Sequence, residues 1–178
     1  MEDIIELLHK IGKLKDLKRT GWVMRKVPNP ESVADHSFRT TIMALLLADK
    51  FKLDKNKCIQ MALIHDLAES IAGDITPHDK INDEEKHELE KKAMESLFKN
   101  VNENNILDLW TEYEDRKTPE SKFVYELDKM EMLLQAFEYE HKYEDENINL
   151  SEFWTHTEER IKEPKLLEIL KILKQRKK

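Results

Sequence analysis

Apolar residues recur at helical spacing along almost the whole chain. Ile4, Ile5, Leu7, Leu8, Ile11 and Leu14 form a stripe that predicts a helix within Met1 to Lys18. Gly21, Pro28 and Pro30 punctuate the next segment, so Gly21 to Pro30 reads as a loop. Ser32 is placed to cap a helix from about Val33 to Phe51, with Asp35 at the capping-box position. Asp54 or Asn56 opens a further helix that ends near Ile71-Ala72, ahead of Gly73 as terminator. Asp74 to Asp83 reads as a loop containing Pro77. Glu84 to Asn100 follows as a charged helix with Leu89, Ala93, Leu97 and Phe98 inward, and Ile106 to Glu114 as a shorter one. Pro119 suits a first helical turn, and that helix runs to about Tyr143 with Phe123, Leu127, Met130, Leu134 and Phe137 on its buried side. Glu152 to Ile161 and Pro164 to Lys177 close the chain. There is no period-two alternation, repeat or linker, so the expected fold is all-α, a single-domain helical bundle over residues 1–178.

Composition supports that reading. Three glycines and five prolines among 178 residues leave few sites for hairpin turns. No apolar run approaches the ~20 residues needed to span a bilayer, and the first residues lack the apolar core of a signal peptide. Cys58, the only cysteine, has no intrachain partner, which fits a reducing compartment. A cytoplasmic enzyme without membrane association is therefore expected. The net charge of -7 argues against affinity for nucleic acid polymers. It leaves a small phosphate substrate open, because a metal and a few placed cations invert a local field.

The chemistry concentrates in His36, the adjacent pair His65-Asp66, and Asp128, each within a stretch that reads as helix. His36 shares a helix face with Thr40, Met43 and Leu47. Neighbouring helical residues project about 100° apart, so His65 and Asp66 reach one ion only if it lies over the edge of their helix. Asp128 falls on an apolar face, where a carboxylate is costly unless paired or metal-bound. Two imidazoles and two carboxylates suit Mn, Fe, Co, Ni or Zn at a catalytic site. Glu69 follows His65 by one helical turn and is placed to handle water. Asp74 lies just past Gly73, and together Glu69 and Asp74 form a candidate second site for a harder ion such as Mg. Arg19, Arg25, Lys26 and Arg39 supply the positive charge that a phosphate dianion needs. Trp22 offers a flat face to sugar or base, and Thr76 is a candidate sugar or phosphate contact.

The order His…His-Asp…Asp resembles the signature of the HD-domain metallophosphohydrolases. The surrounding blocks narrow the resemblance: Arg19 to Arg25, Pro30 to Arg39, His65 to Pro77 and Glu126 to Glu140. Together they are similar to the small HD-domain 5'-deoxynucleotidases, which remove phosphate from deoxynucleoside 5'-monophosphates. The resemblance implies an HD-type bundle with a motif core about 19–140 and C-terminal helices about 152–177. It implies metal ligands at His36, His65, Asp66 and Asp128, active-site roles for Glu69 and Asp74, and sugar discrimination by Trp22. Some bacterial members carry Arg immediately before this Trp. Here Gly21 stands there, which leaves phosphate contact to Arg19 or Arg25.

A lone buried histidine ordinarily packs rather than ligates, and the ordered set is what changes that reading. His9, His87, His141 and His156 lack partners at ligand spacing, and His78 has only its nearness in sequence. The Leu166 to Leu173 stripe reads as core or a subunit contact, and a homodimer is the expected assembly. Two rivals remain: an HD phosphohydrolase acting on a cyclic nucleotide, dinucleotide or alarmone, and a non-catalytic metal- and nucleotide-binding sensor.

Overall fold

Helices dominate because apolar residues recur at helical spacing along the chain, and α-helical runs at Val33, Lys55, Asp83 and Pro119 open on a capping side chain. The computed structural model describes residues 1–76, 79–101, 103–146 and 148–176, apart from the side chains of Asn104 and Glu152. Pro77, His78 and Lys177 lie outside the described residues. In order come α1 (Glu2–Gly12), α2 (Thr20–Met24), α3 (Val33–Leu47), α4 (Lys55–Ile64), α5 (Glu69–Ala72), α6 (Asp83–Phe98), α7 (Asn104–Asp115), α8 (Pro119–Lys142), α9 (Ser151–Glu158) and α10 (Pro164–Arg176). Short 3-10 turns occupy Lys13–Lys15, Ala48–Phe51 and Glu144–Glu146. Among the described residues there is no strand, only an isolated antiparallel bridge between Lys18 and Ser32. No helix is long and apolar enough to cross a membrane. The all-α expectation holds.

Three helix starts carry reciprocal capping boxes: Ser32 with Asp35 on α3, Asn82 with Glu85 on α6, and Thr118 with Ser121 on α8. Each satisfies backbone N–H groups that a helix start otherwise leaves orphaned. Pro119 takes the first turn of α8, where its missing N–H costs nothing. This helix is about 36 Å long at 1.5 Å per residue and serves as the central post. Phe123, Val124, Leu127, Met130 and Leu133 on it are buried among residues of α3, α4 and α10. Leu166, Leu170 and Leu173 of α10 join that same core, so this stripe packs inside the subunit. A second cluster of Leu7, Ile64, Ala68, Met94, Leu97 and Trp110 binds α1 and α6 to the rest.

Three expectations are corrected. The segment after Gly21 is not all loop. Trp22 anchors it by burial, so α2 forms there despite the nearby glycine and prolines. The helix expected to run to Ile71-Ala72 breaks at Ile64, and His65 to Ala68 form tight turns before α5 resumes. Leu89 is exposed rather than inward, because α6 turns Ala93, Met94 and Leu97 to the core instead. The helix predicted from the first apolar stripe forms as α1; within the stripe Leu7 and Leu14 are buried and Ile4, Ile5 and Leu8 are exposed.

Candidate metal centre

The bridge at Lys18 and Ser32 is the first positioning device. Arg19 N–H donates to Glu31 O at 3.1 Å and Val33 N–H to Leu17 O at 2.9 Å, which holds Arg19 beside the start of α3. One turn into α3 lies His36, fully buried. His65 and Asp66 occupy the break after α4, and Asp128 comes from the middle of α8. The turns at this break set both members of the pair beside His36, with His65 Nε2 at 3.3 Å and Asp66 Oδ2 at 3.7 Å from His36 Nε2.

His36, His65 and Asp66 bring three ligand atoms within 4.8 Å of one another, and Asp128 joins them through His36. His36 Nε2 lies 3.3 Å from His65 Nε2, 3.7 Å from Asp66 Oδ2 and 3.2 Å from Asp128 Oδ1. His65 Nε2 lies 3.3 Å from Asp66 Oδ2. The far nitrogen of each ring is occupied. His65 Nδ1–H donates to Ala62 O at 2.8 Å, and His36 Nδ1 is bonded to the buried carboxylate of Glu131. Such outer contacts fix ring orientation and tautomer, leaving both Nε2 lone pairs facing the cluster.

Electrostatics match. Burial opposes ionisation of Asp66, but His65, Arg19 and His36 outweigh it and hold the carboxyl below the usual range. Burial also opposes Asp128, and Lys129 and His36 overcome it by a wide margin. Burial and Arg19 disfavour a charged His36, yet Glu131 and Asp128 raise its pKa to about 10. The cluster thus has the character of a cation site: when nothing else supplies positive charge, a proton on His36 does. Two neutral imidazole nitrogens and two carboxylates are a donor set for a divalent transition metal. Metal would displace that proton. The residues therefore fit such an ion.

Glu69 stands next to the cluster on α5. Its Oε2 is buried with no hydrogen-bond partner among the described residues. Burial first, then Asp66 and Asp74, push its carboxyl well above the usual range. Asp74 is anchored from the other side: its Oδ2 accepts Thr20 N–H at 2.6 Å, and its carbonyl accepts the Thr20 hydroxyl at 2.9 Å. Gly73 takes φ 81°, which lets the chain leave α5 and turn back toward Thr20.

Other sequence candidates lie elsewhere. Trp22 is 1% exposed, tilted against Phe153 at 4.4 Å and edge-on to Tyr139 at 5.3 Å. Its indole N–H donates to Glu31 at 2.9 Å. It presents no open face to a ligand, because burying so large an apolar ring in the core outweighs leaving it in a loop. Arg19 does reach the cluster, 3.2 Å from Asp66 Oδ2. Arg25 does not: its guanidinium donates to Gly21 O at 3.0 Å and lies over Phe153. Arg39 is held by Glu131, Glu138 and Gln135, so it supports the ring of His36 through Glu131 rather than facing substrate. Thr76 caps its own turn, donating N–H to Asp79 Oδ2 at 2.7 Å.

Two residues at the site escaped the sequence reading. Glu131 follows Asp128 by three positions, so both face α3 from one side of α8; that spacing was the available signal. Lys129 Nζ lies 2.7 Å from Asp128 Oδ2. A second compact group, Glu31, His36 and Glu131, could also bring three ligand atoms together. Its members are already matched, Glu131 with His36 and Arg39 and Glu31 with Trp22, so it serves to orient His36.

Residues 11–169 match the profile of the HD domain family. The chain is 45% identical over 172 residues to the 5'-deoxynucleotidase HDDC2 of Xenopus laevis, covering 95% of this chain and 85% of that protein. A solved structure from Pyrococcus horikoshii OT3 superposes with a TM-score of 0.79 at 38% identity, over 98% of this chain and 99% of that one. A predicted metal-dependent phosphohydrolase from Magnetospirillum magnetotacticum MS-1 gives a TM-score of 0.75 at 27% identity, over 99% of this chain and 91% of that one.

Proposed function

The chain belongs to the HD domain family, and from that premise we propose that it is a metal-dependent 5'-deoxynucleotidase. It hydrolyses deoxynucleoside 5'-monophosphates to deoxynucleoside and phosphate. The observation that supports this reading is the meeting of His36, His65 and Asp66, joined by Asp128 through His36, beside a buried Glu69 whose Oε2 has no hydrogen-bond partner among the described residues.

In this reading His36, His65, Asp66 and Asp128 hold one divalent ion of the Mn, Co, Fe, Ni or Zn type. That ion supplies Lewis-acid charge to a phosphoryl oxygen and acidifies water. The protein's own groups do the rest. Arg19 binds the phosphate dianion through its guanidinium. Glu69, buried beside the cluster with Oε2 free of any hydrogen-bond partner among the described residues, takes a proton from the attacking water. The water oxygen bonds to phosphorus as the bond from phosphorus to the sugar O5' breaks, and solvent returns a proton to that oxygen. Asp74 orients the attacking water, or joins Glu69 at a second, Mg-type site.

The activity carried by the Xenopus relative's name supports a nucleoside monophosphate substrate, and the name of the Magnetospirillum protein supports metal-dependent phosphate hydrolysis more broadly. The wider reading is one domain over 1–178 in the cytoplasm, without nucleic acid polymer as partner. It assembles as a homodimer, which the exposed Ile4, Ile5 and Leu8 on α1 support. The test is phosphate release from matched deoxy- and ribonucleoside monophosphates by chelated and metal-restored protein. Turnover on cyclic nucleotides or alarmones alone would replace this reading with its rival.

A further inference from the structure

With Arg25 and Arg39 committed elsewhere, Arg19 alone of the expected arginines borders the cluster. One guanidinium is a thin counterpart for a phosphate dianion. We propose that Lys129 is the second phosphate-binding cation, working across the cluster from Arg19. The proposal rests on the phosphomonoester reading above and names a residue of its substrate site.

Three observations carry it. The first is place. Arg19 lies 3.2 Å from Asp66 Oδ2 and Lys129 Nζ lies 2.7 Å from Asp128 Oδ2, so the two cations flank one cluster through its two carboxylates. The side chains of Arg19, Asp66 and Lys129 keep 12%, 16% and 16% of their surface exposed while that of His36 has none. The opening of the site is therefore on the rim where these cations sit.

The second is preorganisation. The Lys129 stem does not wave in solvent. Its Nζ lies 5.0 Å from the centre of the Tyr125 ring and 4.0 Å from Met132 Sδ, and Arg116 lies over the same ring at 4.7 Å. A lysine held this way has lost much of its rotamer freedom before any ligand arrives.

The third is charge. Without metal, Arg19 and Lys129 balance Asp66 and Asp128, and Arg39 balances Glu131. When a divalent ion is bound by Asp66 and Asp128, their charge is spoken for. The two flanking cations are then no longer needed to neutralise those carboxylates and become available to a phosphate dianion. A lysine serving only to quiet Asp128 would become redundant on metal binding. A phosphate ligand would become active then.

The test measures inorganic phosphate binding to Mn-loaded protein by calorimetry, with Mn affinity and dAMP kinetics measured in parallel. Lys129→Met keeps the stem against Tyr125 and removes the charge; Lys129→Arg restores it. Lys129→Met should weaken phosphate binding and raise KM by roughly 10–100-fold, the loss expected of a charge-assisted contact. Mn affinity should stay within about threefold, and Lys129→Arg should recover most of the loss. Unchanged phosphate affinity and KM would overturn the proposal. So would a loss of phosphate binding that merely tracks a loss of Mn, since Lys129 would then act only by orienting Asp128. If Lys129→Met folds poorly, the arginine variant still decides: it should keep phosphate affinity within a few-fold, and a loss matching a neutral side chain would refute the charge role. Failure of the wild-type protein to hydrolyse any deoxynucleoside monophosphate would strike the parent reading, not this one.

Discussion

His36 Nδ1 is bonded to the Glu131 carboxylate, with both side chains shut off from solvent, and this leaves Nε2 facing Asp128 Oδ1 at 3.2 Å. Arg39 grips the same carboxylate from outside at 2.7 Å. The line Arg39–Glu131–His36 therefore fixes the direction in which the first ligand points. Glu131→Gln should lower Mn affinity by about 10–100-fold, the usual effect of removing a partner behind a ligand histidine. Arg39→Met should shift it in the same direction by less. Calorimetric titration of stripped protein checks both, and an unchanged Glu131→Gln isotherm contradicts the role.

The same contact sets a pH dependence. The His36 pKa rises from 6.5 to about 10, so at neutral pH the metal-free ring is charged. Metal must displace that proton. Apparent Mn affinity should therefore climb by up to about tenfold per pH unit between pH 6 and 8, with proton release visible as buffer-dependent heat. The stability linkage has the opposite sign. A raised histidine pKa stabilises the stripped fold most below about 6.5 and loses that contribution as pH rises toward 10. The melting temperature of stripped protein should fall over that window, and the metal-loaded protein should lack this component. Mn affinity independent of pH would rule out a charged His36.

Glu69→Gln separates water handling from ligation. The substitution keeps shape and removes the proton acceptor, so metal content should persist while kcat falls about 10²–10⁴-fold. Loss of one bound ion from the variant would instead place Glu69 at a second metal site with Asp74.

Trp22→Ala tests burial against substrate contact. The ring lies at 1% exposure between Tyr139 and Phe153. Its removal should cost about 3–5 kcal/mol of folding free energy, as large aromatic truncations in cores do. Urea unfolding measures this. A loss below about 1 kcal/mol with an altered deoxy-to-ribo preference would restore the indole as a substrate surface.

How far these residues could be read from sequence follows from what local pattern records. The α3 start was plain because Ser32 and Asp35 cap within four residues, and α8 because Pro119 precedes a long apolar stripe. The candidate ligands were legible because histidines and aspartates on apolar helix faces are costly to bury without a partner or a cation. The break at His65 left no trace: Leu67 and Ala68 are good helix formers, and tertiary placement of the ligand pair overrides them. Trp22 misled because glycine and prolines suggest loop, whereas a single large ring can bury a five-residue helix. The arginines misled for another reason. Sequence shows that a cation is near, but not that Glu131, Glu138 or Phe153 has already claimed it.

The central claim is that one divalent ion, held by His36, His65, Asp66 and Asp128, makes this chain a deoxynucleoside monophosphate hydrolase. The most direct measurement is phosphate release from dAMP and AMP as Mn is titrated into chelator-stripped protein. The account predicts no turnover without Mn and a rise in proportion to bound ion. It also predicts preference for dAMP and no recovery in His65→Ala at any Mn concentration up to saturation of the parent. Full turnover by stripped protein, or undiminished activity in His65→Ala, would contradict it.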